Sequence, residues 1–388
     1  MVNYPTQRMA SIAPFHVMEL LGRARALEAQ GRDIIHMEVG EPDFPTPEPI
    51  VAAAQRHLAD GRVFYTPSLG LPELREAIAT FYGTRYGVAV PPSRIVVTAG
   101  ASGALLLALS CLVEAGSEWL LTDPGYPCNR NFVACTGGQP ICMPVEAANK
   151  FQPTLDDVRN HWNQRTGGAL FASPANPTGT MIDDATLASI ADFVRSQGGT
   201  LIVDEIYHGL TYGRDASTAL QFGDDLFIVQ SFSKYFNMTG WRLGWLVVPE
   251  KHLRDVEKLA QNLFIAPPTT AQYAALAAFQ PETIDILEKR RVEFQRRRDF
   301  LIPALHNLGF RLETQPEGAF YLYADCSAIA PDSQAFARNL LEEAGVAITP
   351  GIDFGTQAPE THIRIAYASD IDRLDAAVKR IRDYLTRQ

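Results

Sequence analysis

Between Arg94 and Pro249 the sequence alternates short apolar runs with amphipathic or Ala/Leu-rich stretches of helical length. RIVVTAG leads into ASGALLLALSCLVEAG, and EWLLTDPGY, QPICMPV and GALFASPANPTG follow. The helical DDATLASIADFVRSQGG then feeds TLIVDEIY, DLFIVQSFS and GWRLGWLVVP. A strand apolar along its whole length must be covered on both faces. Such strands separated by helices imply an α/β fold with a mostly parallel sheet between helical layers. Sheets of this kind gather ligands at the carboxyl ends of their strands. The polar residues that stand out there are Asn176, Asp204, Tyr207, Ser231 and Lys234.

From about Pro281 the pattern changes. A long charged helix runs to about Leu308. Strand-like GFRLETQPEGAFYLYADC, a helix around Ser333 to Ala344, strand-like THIRIAYAS and the amphipathic DIDRLDAAVKRIRDYL follow, as in a smaller α+β domain. The N-terminal helix Phe15 to Gln30 and the strand DIIHMEVG are expected to pack against it. The expected units are an N-terminal arm with part of the small domain (1–45), a large domain (46–280) and a small C-terminal domain (281–388). The basic run EKRRVEFQRRRDF, Glu288 to Phe300, reads as the solvated face of the long helix.

Several function classes drop out. A net charge of −10 argues against nucleic acid as a partner. No apolar stretch is long and clean enough to span a bilayer, and the N-terminus lacks a signal peptide's apolar region. Cys111, Cys128, Cys135, Cys142 and Cys326 form no CxxC pair, so a metal site is not expected. An odd number of cysteines without a secretory signal fits reduced thiols in a cytoplasm. No strand–GxGxxG–helix unit marks a nicotinamide enzyme.

The chemistry concentrates in SFSKYFNMTGWRLGW, Ser231 to Trp245. Lys234 follows an apolar strand, and Arg242 lies close by in a Gly-framed turn. A nearby fixed cation lowers a lysine's pKa, and a neutral lysine can form a Schiff base with an aldehyde. The hydroxyls of Ser231 and Ser233 suit an anionic group. VTAGASGALLLA sets Gly100, Ala101 and Ser102 at a strand-to-helix turn, where backbone amides and the helix N-terminus favour a phosphate. Tyr126, in TDPGYPCN, can stack on a flat ring, or cap a core edge. Asn176 lies between Pro174 and Pro177, a rigid amide donor or a plain turn residue. Asp204 closes so apolar a strand that it needs a partner, and a protonated pyridine nitrogen would serve. Tyr207 accompanies it, whereas Glu205 and His208 read as structural. Arg364, in the apolar strand HIRIAYA, demands an anion; its fork fits an α-carboxylate as well as a structural ion pair.

Together SPANPTG, VDEIY, SFSKYFNMTGWRLGW and RIAYA resemble the class I/II aminotransferases of pyridoxal-phosphate fold type I. The likeness runs from VGEPDFPTP to RIAYAS in the same order, and is nearest to prokaryotic aspartate, alanine and aromatic or kynurenine-type members. It implies a large domain built on a seven-stranded, mostly parallel sheet. It also implies pyridoxal 5′-phosphate on Lys234 as an internal aldimine, with Lys234 as the proton shuttle. Asp204 would pair with the pyridine nitrogen, Asn176 and Tyr207 would contact the phenolic oxygen, and Tyr126 would stack on the ring. Gly100, Ala101, Ser102, Ser231, Ser233 and Arg242 would hold the phosphate. Arg364 would grip the substrate α-carboxylate, assisted by Gly40 and Asn176. Tyr65 would reach the phosphate of a neighbouring subunit, which implies a homodimer.

The implied reaction is ping-pong transfer of an amino group from an L-amino acid to a 2-oxo acid. A C–S β-lyase or a synthase of the same fold is the alternative, and a regulator built on this domain would need a DNA-binding module that this chain does not display. One departure stands out. In AQNLFIAPPTT, Gln261 occupies the place where one dicarboxylate-specific branch carries an arginine. Ile12, Phe15 and Phe264 near the entrance favour apolar or aromatic side chains, or simply pack the N-terminal segment. The amino donor and the oxo-acid acceptor stay open.

Overall fold

The computed structural model describes residues 7–10 and 12–387, so the outermost residues of the expected 1–45 and 281–388 units lie outside the described residues. In chain order the strands are β1 (Ile35–His36), β2 (Ile95–Thr98), β3 (Glu118–Asp123), β4 (Gln139–Pro144), β5 (Thr166–Ala172) and β6 (Thr200–Asp204). They continue with β7 (Phe227–Ser231), β8 (Gly244–Val247), β9 (Tyr321–Asp325), β10 (Val346–Ala347), β11 (Thr349–Pro350) and β12 (His362–Ala366).

The central sheet has seven strands in the order β2-β8-β7-β6-β5-β3-β4. All its pairings are parallel except the two made by β8. The reversal at β8 has a local cause. Residues 232–243, which hold the 3-10 turn Thr239–Trp241 but no α-helix, join β7 to β8. A link without a helix suits an antiparallel neighbour, whereas a parallel one is usually reached through a helical crossover. The apolar runs sort by alternate residues onto the two faces. Val97, Phe171, Val203 and Ile228 join one core, and Val96, Leu170, Ile202, Phe227 and Val229 join the other. Each such side chain contributes about 1.5–3 kcal/mol on burial, which fixes the register of every strand.

The C-terminal part forms a second, antiparallel sheet in the order β11-β12-β9. Arg364 sits on its middle strand, opposite Thr349 on one side and Tyr323 on the other. The N-terminal segment joins this part, as expected: β1 pairs in parallel with β10, Ile35 opposite Val346. The strand expected over DIIHMEVG is only two residues long. Beyond it, Met37 binds Ala347 through its N–H and Ala366 through its carbonyl, so the chain is carried straight from β10 to β12. This delivers Val39 and Gly40 to the gap between the two sheets.

The long charged helix runs from Pro281 to Asn307, but its basic run is only partly a solvated face: Lys289 and Arg296 are exposed, whereas its other arginines turn inward. Arg297 and Arg298 are only 3% and 6% exposed. Arg297 lies 4.8 Å from the Phe44 ring centre and reaches Asp43 at 2.8 Å. Arg298 donates to the Pro316 carbonyl at 2.9 Å, and Arg290 to Asn237 Oδ1 at 2.6 Å. Guanidinium planes stack on aromatic rings while their edges satisfy carbonyls, so a run that looks wet in sequence makes a packed seam. Among the described residues no helix is long and apolar enough to cross a membrane.

Candidate active site

A cavity of about 250 Å³ opens at the carboxyl ends of the central strands, between the two sheets. It brings together Ala101, Ser102, Tyr126, Asn176, Asp204, Tyr207, Ser231, Ser233, Lys234, Arg242, Gly40 and Arg364, twelve of the fourteen residues singled out from sequence. Gly100 stands just behind the wall. Tyr65 is elsewhere, on the protein surface and 80% exposed.

At one end of the cavity the turn after β2 meets the turn before β8. Gly100, at φ +72°, starts the helix Gly100–Leu112, and a Cβ there would lie 2.6 Å from Arg242 Nη2. Only glycine combines that backbone with so close a guanidinium. Arg242 is anchored by its Nη1 to the Thr239 carbonyl at 3.0 Å. Ser231 Oγ accepts from the Ser233 N–H at 3.0 Å. A helix N-terminus, three hydroxyls and an arginine thus converge, which is a cradle for a phosphate-sized anion.

The middle of the cavity holds two displaced titratable groups. Asp204 ends β6 and is 4% exposed; its carboxylate accepts from the Ile206 N–H at 3.1 Å. Burial pushes its carboxyl up to about 7, against the opposing pull of that N–H and of Lys234. Lys234 donates to the Gly40 carbonyl. Burial, then the positive charge of Arg364, lowers its amine to about 8. Tyr207 OH lies 2.9 Å from Tyr321 OH. Burial raises both phenols, so both stay protonated hydrogen-bonding groups at neutral pH. Tyr126 meets Phe15 edge-on at 6.3 Å.

At the far end Arg364 donates to Asn176 Oδ1 at 2.9 Å, to the Glu38 carbonyl, and to Thr349 Oγ1 at 3.3 Å. Its guanidinium lies between the rings of Tyr321, at 4.3 Å, and Phe354, at 4.9 Å. Among the described residues its Nε has no partner although it is buried. These contacts fix a fork without neutralising it, since no carboxylate side chain among the described residues is bonded to it.

Sequence reasoning missed Tyr321, Phe354, Thr349 and the Glu38 carbonyl. The alternation in AFYLYAD carried a signal for Tyr321 but not for which face would meet the cavity. Gly40 is required next to Tyr321, because a Cβ there would overlap the phenol oxygen. Glu205 and His208 point away from the cavity. Glu205 accepts from Thr218 Oγ1 at 3.0 Å and from the Ala219 N–H at 2.7 Å, and His208 meets Tyr86 OH at 3.3 Å. Of the three entrance residues, Phe15 lines the cavity, while Phe264 packs against the core under the helix Gly100–Leu112. Gln261 is exposed on the helix Leu253–Leu263.

An anion cradle, a buried carboxylate with no salt bridge among the described residues and a lysine of lowered pKa, all on one cavity, fit pyridoxal phosphate: an acidic tail, a basic ring nitrogen and an aldehyde. The fold and site are those of a pyridoxal-phosphate enzyme of fold type I. The chain belongs to the aminotransferase class I and II family, whose model matches residues 32–381. It is 39% identical to the valine–pyruvate aminotransferase of Mycobacterium tuberculosis, over 98% of each chain. It is 34% identical to the aspartate aminotransferase of Thermotoga maritima, over 98% of this chain and 99% of that one. A crystal structure of an aminotransferase from Mycobacterium tuberculosis superposes over the full length of both chains with a TM-score of 0.96 at 39% identity. This chain is a pyridoxal-phosphate-dependent aminotransferase.

Proposed function

We propose that the chain transfers an amino group from an L-amino acid to a 2-oxo acid in two half-reactions of ping-pong type, with Lys234 as the residue that carries the cofactor. The observation that carries this reading is the placement of Lys234 and Asp204 on one cavity, both with pKa values displaced toward neutrality. When bound, pyridoxal phosphate supplies an electrophilic aldehyde and a cationic ring that draws electrons from the substrate's Cα. Asp204 would hold the proton on the ring nitrogen, and its burial would make that cation a welcome partner. Ser102, Ser231, Ser233, Arg242 and the amides after Gly100 would hold the phosphate. Asn176 and Tyr207 would hydrogen-bond the phenolic oxygen, and Tyr126 would cover the ring. Arg364, with Asn176 and Gly40 beside it, would orient the substrate α-carboxylate. Lys234, its amine lowered to about 8, would serve as the base at the substrate Cα and then as the proton donor.

The test is a half-reaction. The loaded enzyme is mixed with an amino acid alone. One equivalent of 2-oxo acid per site without ammonia is expected, followed by recovery when a second 2-oxo acid is added. Continued release with ammonia would mean a lyase.

The same reading makes the protein a cytoplasmic homodimer with shared sites. Support for the dimer comes from large apolar side chains left exposed in the single chain, among them Leu58, Val63, Phe64, Tyr65, Leu263 and Ile265. Tyr65 would act on the neighbouring subunit's phosphate. It also takes residues 46–280 as the cofactor-binding unit, with 1–45 and 281–388 forming the smaller one. The confinement of the seven-stranded sheet to the first and the β1–β10 pairing in the second support that division.

A further inference from the structure

The charges on the cavity wall limit what a substrate side chain can be. Among the described residues, the lining cations are Lys234, Arg242 and Arg364. Each already has a task in the proposed function: Lys234 carries the cofactor, Arg242 faces the anion cradle from its anchor on the Thr239 carbonyl, and Arg364 takes the substrate α-carboxylate. Besides Asp204, the lining carboxylate is the exposed Glu41. A second carboxylate on a substrate would therefore find no free cation here, and Glu41 would repel it.

The wall left over is apolar, and much of it comes from one element. Phe15, Val17 and Met18 line the cavity from the start of the helix His16–Glu28, with Val39 and Leu105 completing that surface. The helix has no cap of its own: Phe15 at the N-cap position supplies no side-chain acceptor. Asp353 provides one from the far end of the chain. Its carboxylate accepts the His16 and Val17 N–H groups, both at 2.9 Å, and is 1% exposed. A buried carboxylate capping two free N–H groups is a firm anchor. The anchored residues are the apolar ones at the cavity.

Resting on the aminotransferase reading, we propose that this chain is specific for monocarboxylic amino acids with apolar side chains. Phe15, Val17 and Met18 form the side-chain wall, and Asp353 is the positioning residue that holds it. Both half-reactions use the same cavity, so the oxo-acid acceptor is monocarboxylic as well. A reaction supplying such 2-oxo acids, rather than dicarboxylic ones, must stand beside it.

The experiment compares leucine, phenylalanine, aspartate and glutamate in the half-reaction of the cofactor-loaded dimer. In parallel, calorimetry measures binding of 4-methylpentanoate, 3-phenylpropanoate and succinate. Leucine or phenylalanine should exceed both acids at least ~10-fold in rate, and the two monocarboxylates should bind ~10-fold tighter than succinate. Met18→Arg places a cation at an exposed position on the wall and should move the aspartate-to-leucine ratio ~10-fold or more toward aspartate. Asp353→Asn should lower kcat/KM for phenylalanine more than for alanine, chiefly through KM. Aspartate or glutamate reacting as fast as leucine, or succinate binding as tightly, would overturn the proposal and point to a cation delivered by the second subunit. If no amino acid reacts at all, the aminotransferase reading fails and takes this one with it.

Discussion

Lys234 is tied to the carbonyl oxygen of Gly40, not to the carboxylate of Asp204. Two groups of opposite charge share a cavity without bonding to each other, and each is displaced toward its neutral form by burial. A pair meant only for stability would close into a salt bridge. Held apart, each stays available to a third molecule, and that separation is the physical core of the proposed function.

Asp204→Asn separates the two consequences of that burial. With its folded-state pKa raised to about 7, the carboxyl binds a proton more tightly folded than unfolded. Its contribution is therefore fully present below about pH 4 and is lost as pH rises through 7. The cofactor-free Asn variant should be more stable than wild type at pH 8 by ~2–4 kcal/mol, and no more stable at pH 4. Denaturant melts at both pH values check this. The loaded variant should lose activity ~10³-fold or more, since the ring nitrogen loses its partner.

His36 works in the opposite direction on the pH axis. It lies 2.7 Å from Glu38 Oε1 and 3.1 Å from Glu28 Oε1, and the Glu38 bond leads the forces that raise it to about 9. The stabilisation is complete below about pH 6.5 and disappears as pH rises through 9. His36→Gln should cost ~1–2 kcal/mol at pH 6, allowing for screening at its partly exposed edge. The cost should vanish above pH 9. Thermal melts across pH 6 to 10 would show it.

Arg364→Lys keeps the charge and removes the fork. The unpartnered Nε and the sandwich between Tyr321 and Phe354 both depend on a planar group. The variant should lose ~10²-fold in kcat/KM, mostly as KM for the amino acid. Steady-state kinetics with the preferred donor measures that split.

Tyr65→Phe removes a hydroxyl that is exposed in the single chain. If it serves the neighbouring site, cofactor affinity should fall ~10-fold, with light scattering still reporting a dimer. Phe64→Asp on the same surface should shift the protein toward monomer and weaken cofactor binding with it.

The large sheet was legible in sequence because both of its faces are buried, which leaves long apolar runs. Cofactor-contact candidates were legible because they sit in short fixed turns, as in SPANPTG and SFSK. What escaped depends on contacts between distant segments. Nothing local in PGIDFGTQ marks Asp353 as the cap of a helix that starts at His16. The pairing of Arg364 with the Glu38 carbonyl needs the path from β1 to β12. The basic run on the long helix misled for a related reason: hydropathy cannot tell an arginine in water from one stacked on Phe44.

The most direct measurement is the site of covalent cofactor attachment. The protein is incubated with pyridoxal phosphate, reduced with borohydride, digested and analysed by mass spectrometry. A single stable adduct on the peptide containing Lys234 is expected, absent from the Lys234→Ala variant. An adduct spread over surface lysines, or one that survives in Lys234→Ala at full yield, would contradict the account.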